Sequence, residues 1–235
     1  MRRLRFAEHM DISSIIIILL ALTFLFLAEL SYAGQPNSVV QARSINWDEL
    51  FQALKTVEKS PSDDSIKAFL DKIPEQFTED QAGDEDKFLE AIDGSEVFED
   101  LLVKGNPFMA EAAFRLMAFI LPGAFYEDFF IRLGKLATGH PRLFLQMLKR
   151  YKSNFEYEYP VTMTEILDIV PDIVTEEDWV RRNREELRLY EERLKALKSV
   201  TDPELIGIRD ECIKVIEEII KEIKDRSKKI GTEAG

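Results

Sequence analysis

From Ser44 to Lys229 the chain is written in short apolar runs whose members recur every three or four residues, and proline or glycine separates one run from the next. That period places side chains along one face of an α-helix, whereas a strand needs strict alternation. The runs are short and regular, which restricts the chain to an all-α fold. The expected architecture is a bundle of short helical hairpins, weakly α-solenoid-like, followed by a long antiparallel C-terminal helical hairpin.

The spacing predicts the individual elements. Ser44 caps a helix carrying Trp47, Leu50, Phe51, Leu54 and Val57. Ser60-Pro61-Ser62-Asp63 stops it and restarts a second with Ile66, Phe69, Leu70 and Ile73, closed by Pro74. Glu75 to Glu85 reads as a polar loop. Phe88, Leu89 and Ile92, then Val97, Phe98, Leu101 and Leu102, predict two more helices parted by Asp93-Gly94. Asn106 to Thr138 is the most apolar stretch, two helices broken at Pro122-Gly123, and is expected to hold the core. Its phenylalanines at helical spacing read as packing ahead of a ligand groove. Gly105-Asn106-Pro107 and Gly139-His140-Pro141 echo each other about one helical hairpin apart, each ending one helix and opening the next with proline in the first turn. There is no third copy, so the echo predicts two stacked hairpins at most.

Leu143, Phe144, Met147, Leu148 and Tyr151 mark the next helix. Phe155 to Pro160 alternates aromatic with acidic residues and reads as an extended connector, followed by a short helix through Ile166, Leu167 and Val170. Thr175-Glu176-Glu177-Asp178 is a capping-box pattern that opens the long hairpin. Val180, Leu187 and Leu194 interleave with Asn183, Tyr190 and Leu197 at heptad spacing. After a turn at Thr201 to Glu204, the second helix turns Leu205, Ile208, Cys212, Val215, Ile216, Ile219, Ile220 and Ile223 inward. That stripe is wider than one partner helix needs. The hairpin is therefore expected to pack back onto the earlier helices rather than stand off as a docking arm with an Ile-rich face in water.

The first 33 residues have a different texture. Arg2, Arg3 and Arg5 precede an apolar run from Ile15 to Ala28, and Ser31-Tyr32-Ala33 is a signal-peptidase pattern with cleavage between Ala33 and Gly34. The alternative is an uncleaved membrane anchor, although the run falls short of the roughly 20 apolar residues of a span, and Glu29 interrupts its end. The expected organisation is a signal at 1–33, a flexible leader at 34–43, a helical core at 44–174, the hairpin at 175–230 and a disordered tail at 231–235. Such a protein is secreted or periplasmic, or held by a single-pass anchor in the alternative. The lone Cys212 excludes an intramolecular disulfide and, within its apolar series, is expected to be buried.

Charge narrows the partner classes. The chain carries a formal net charge of −13, and between Glu58 and Asp100 there are 15 acidic residues against four lysines. Such a surface repels phosphate backbones, which excludes nucleic acid, whereas it steers basic proteins toward itself. The plainer reading is a solubilising surface. Glu79, Asp80, Asp84, Glu85 and Asp86, with the aromatic pair Tyr157 and Tyr159, are the candidate partner-binding residues. Past the signal the chain has one histidine, His140, and one cysteine, Cys212, so a His/Cys zinc site is out of reach. Counting from Asp80, calcium-hand positions three and twelve fall on Ala82 and Ala91. No catalytic residue, metal or cofactor is assigned. The expected function is an exported, non-enzymatic protein that binds another protein as adaptor, chaperone or envelope accessory factor. A membrane-anchored envelope subunit is the alternative. A carboxylate-dependent hydrolase is a distant one, because carboxylate pairing is spatial.

Overall fold

A computed structural model describes residues 44–75, 81–119, 124–152, 167 and 179–233. Among these the protein is almost wholly helical. Helices α1 (Trp47–Lys59), α2 (Asp63–Leu70), α3 (Glu85–Asp93), α4 (Glu96–Val103), α5 (Pro107–Leu116), α6 (Ala124–Gly139) and α7 (Pro141–Tyr151) are followed by the longer α8 (Trp179–Lys198) and α9 (Ile206–Glu233). Strands β1 (Ile45–Asn46) and β2 (Gln81–Ala82) form one short parallel pair, Ile45 beside Gln81 and Asn46 beside Ala82. None of the described helices is long and apolar enough to cross a membrane.

Short polar side chains start the first five helices. Ser62 and Ser65 form a reciprocal capping box on α2, and Asp84, Ser95 and Asn106 accept from backbone N–H groups of α3, α4 and α5. Each cap satisfies a donor that the first turn leaves without an intrahelical partner. On α1 the expectation is corrected: the cap is Asn46, whose Oδ1 accepts from Glu49 N at 3.1 Å, not Ser44. Ile45 and Asn46 are extended because they pair with Gln81 and Ala82, so the helix begins only after them. The loop expected at 75–85 thus contains β2, and its Gln81 side chain accepts from Trp47 Nε1 at 3.2 Å.

The two Gly-x-Pro turns both link helices with proline in the first turn, yet their backbones differ. Gly105 has φ +76°, and the N–H groups of Gly105 and Asn106 bond Leu102 O and Leu101 O, each at 3.0 Å. This pairing is a Schellman ending, which needs a left-handed residue that glycine supplies without strain. At the second turn the His140 N–H continues the helical pattern to Leu136 O. The His140 ring lies against Gly105: a Cβ there would stand 2.5–2.6 Å from its ring atoms. The echo is a contact between two turns.

One cluster of buried side chains draws on all nine helices. In α5, Met109, Ala110, Ala112, Ala113, Phe114 and Leu116 are all fully buried, so the most apolar stretch does hold the centre. Aromatic rings fill the space around it. Trp47 packs tilted against Phe88 (5.5 Å between centroids) and edge-on to Phe119 (6.4 Å), while Phe114 meets Phe144 at 5.7 Å. These rings touch one another, so they serve as packing.

Helix α8 lies on α6, and α9 runs antiparallel along α8, as the exposed pairs Lys198–Glu217 and Lys224–Glu191 record. The buried residues of α8 include Glu186, Tyr190, Arg193 and Leu197, whereas Leu187 and Leu194 are half-buried. The heptad therefore serves two neighbours at once. On α9 Ile208, Cys212, Ile216, Ile220 and Ile223 are buried, and Val215 and Ile219 flank them half-covered. Ile206 is the only large apolar side chain left exposed among the described residues. The helix persists to Glu233, beyond the hairpin end expected at residue 230.

Arginines from later helices close the ends of earlier segments. Arg115 donates to Ile73 O at 3.0 Å, just beyond α2. Arg132 donates to Ile92 O at 2.9 Å and Asp93 O at 2.5 Å, at the end of α3. Arg193 donates to Leu167 O and, at 3.3 Å, to Thr138 Oγ1, and Arg209 reaches Val200 O at 2.7 Å beyond α8. Helix ends leave carbonyls unsatisfied, and α3 has no basic residue in its own last turn, so Arg132 supplies that charge from outside. Gly134 makes room for one of these arginines, since a Cβ there would collide with the Arg193 guanidinium.

Candidate functional site

Asp84, Glu85 and Asp86 open α3. Asp84 Oδ1 accepts from Lys87 N at 3.1 Å, so its side chain is engaged as the cap, and Glu85 and Asp86 face the positive end of the helix dipole. Glu85 is half-buried, and burial first, then repulsion from Asp86, holds its carboxyl above the usual range. Asp86, Glu90 and Glu96 are exposed and form no ion pair among the described residues. Further along α4, Glu99 binds Lys135 at 2.5 Å and Asp100 binds Lys104 at 2.6 Å. Asp48, Asp63, Asp64 and Asp71 in and beside α1 and α2, and Glu185 and Glu222 on the long helices, are likewise exposed with no ion pair among the described residues, so the uncompensated acid at the start of α3 is part of a wider acidic surface. Glu79, Asp80, Tyr157 and Tyr159 lie outside the described residues, as do Ala33 and Gly34, so of the candidate residues only Asp84, Glu85 and Asp86 are brought together here.

A concave feature among the described residues is an open groove of about 850 Å³ where the start of α7 meets the α8–α9 turn. His140, Arg142, Gln146, Ser199, Thr201 and Asp202 line it. Histidine, serine and aspartate in one groove invite a test for nucleophile chemistry, which requires the base to hydrogen-bond both partners. Ser199 Oγ instead donates to Ala196 O at 2.6 Å. Asp202 holds Arg142 at 3.0 Å with one oxygen and accepts from Glu204 N at 3.2 Å with the other. The His140 ring bonds neither of them, so these three side chains form no relay.

A second polar constellation lies inside. Arg115 Nε donates to the Tyr151 hydroxyl at 3.2 Å, and its two terminal nitrogens reach Ile73 O, Glu75 Oε1 at 3.1 Å and Glu111 Oε1 at 2.6 Å. Tyr151 in turn donates to Glu111 Oε1 at 2.6 Å, and Arg150 stands 3.2 Å from the same oxygen. Burial alone would raise the Glu111 carboxyl, but the Tyr151 hydroxyl and the two guanidinium groups outweigh it and hold it below its ordinary value. Burial, reinforced by the bond to Glu111, pushes the Tyr151 phenol up to about 12. This network ties α5 and α7 to the segment after α2 and spends its donors internally, so its chemistry is structural. Sequence reading passed over Arg115 and Arg132. The signal was present, because each is an arginine inside one of the two most apolar helices, where a charge persists only with partners.

Cys212 is buried, and burial pushes its thiol up to about 12, so it stays protonated and unreactive at neutral pH. Among the described residues no group of three or more His, Cys, Asp or Glu is placed to hold a metal ion. No known protein family matches this chain, and neither a curated protein nor a solved structure is significantly similar to it.

Proposed function

We propose that this is an exported, non-enzymatic helical protein that binds another protein through the acidic face of α3 and α4, its partner being basic. The observation that carries the reading is a contrast in how charge is spent. Along α8 and α9 most carboxylates pair with neighbouring cations, as in Arg188–Glu192, Lys198–Glu217 and Lys224–Glu191, Glu185 and Glu222 excepted, whereas between Asp63 and Glu96 the exposed Asp63, Asp64, Asp71, Asp86, Glu90 and Glu96 form no ion pair among the described residues. Uncompensated carboxylates cost self-repulsion that a solvated surface does not require. They also steer a cationic surface toward the face that bears them. The finer architecture belongs to the same proposal: stacked short hairpins, weakly solenoid-like, closed by the α8–α9 hairpin and presenting the α3–α4 side outward.

The test crosslinks and purifies the protein from the exported fraction of its native host and repeats this with Asp86→Lys, Glu90→Lys and Glu96→Lys combined. A specific basic protein is captured by the wild type and lost from the triple variant, whose helical circular dichroism is unchanged. Equal capture by both removes the acidic face from the proposal. Intact mass of the same material separates export with cleavage, a species starting at Gly34, from the membrane-anchored envelope subunit, which retains residue 1 onward.

A further inference from the structure

We draw no further inference here: the strongest candidate, the acidic face of α3 and α4 beside the groove that α1 and α2 form around Ala53 and Ala68, belongs to the reading already proposed, and nothing in the structure shows what covers it.

Discussion

Replacing Gly105 with alanine tests the contact between the two turns, and its cost has two separable parts. The first is backbone: φ is +76°, a left-handed conformation that costs an L-residue roughly 1–2 kcal/mol. The second is steric, since the new Cβ would stand 2.5–2.6 Å from Cγ, Cδ2 and Nδ1 of His140. The backbones on both sides of that clash are held, His140 by its bonds with Leu136 O and Phe144 N and Gly105 by the Schellman bonds at Leu101 and Leu102. Overpacking of this kind costs roughly 1–3 kcal/mol. Gly105→Ala therefore destabilises by about 2–5 kcal/mol, the sum of the two. In a His140→Ala background only the backbone part remains, so the double variant is more stable than additivity predicts by about 1–3 kcal/mol. Gly105→Asn sharpens the comparison, because asparagine tolerates the left-handed region yet still meets the ring. It is costly with His140 present and close to neutral without it. Urea unfolding followed by circular dichroism and by tryptophan fluorescence, with Trp47 fully buried, gives the four free energies of the cycle. If Gly105→Ala costs the same with and without the imidazole, the stacking of the two turns is wrong.

Other perturbations reach other parts of the fold. Arg115→Ala leaves Glu111, the Tyr151 hydroxyl and Ile73 O without their common donor and costs about 3–5 kcal/mol, and Arg115→Lys rescues little because an ammonium cannot serve so many directions at once; unfolding midpoints read both. Glu111 has a folded pKa below its unfolded value, so its contribution is present above the unfolded pKa near 4.5 and is lost as pH falls through the lower folded one. Glu111→Gln accordingly flattens the acid limb of the stability–pH curve. Glu85 has the opposite sign: its raised carboxyl weakens the fold once ionised, and Glu85→Gln stabilises the protein at pH 7 by under about 1 kcal/mol, read as a higher urea midpoint. At the alkaline end Tyr151 ionises near 12 when folded against 10 in the reference state, so stability falls as pH rises between those values, and Tyr151→Phe removes that dependence. Cys212 reacts with a thiol reagent only as fast as the protein opens, and immediate one-to-one labelling under native conditions would place the thiol at the surface.

What sequence reading recovered, and what it missed, follows the range of the interactions concerned. Helix stripes, the Ser62 restart and the prolines at 107 and 141 are local signals, acting within a turn of where they are read, and each marks a real boundary. The β1–β2 pair joins residues 36 apart with two positions on each side, too few to leave an alternating pattern, and its formation displaced the α1 cap from Ser44 to Asn46. Leu187 and Leu194 occupy good heptad positions, but α8 has neighbours on two sides, so Tyr190 and Arg193 are the more deeply buried. For the candidate site the acidic composition was visible at once. Which acids are committed was not, because the engagement of Asp84 as a cap and of Glu99 with Lys135 depends on backbone and tertiary placement.

The arginines that close earlier segments also set an order of events. Helices α2 and α3 have eight and nine residues, below the length at which an isolated helix persists in water. The donors that complete their ends arrive 42 residues after Ile73 and 40 after Ile92. A chain released from its N-terminus forward therefore gains no lasting structure in its first helices until α5 and α6 have followed. In the exported protein proposed above, that delay would keep the leading segment threadable through a narrow channel and make the commitment to fold an event of the far side.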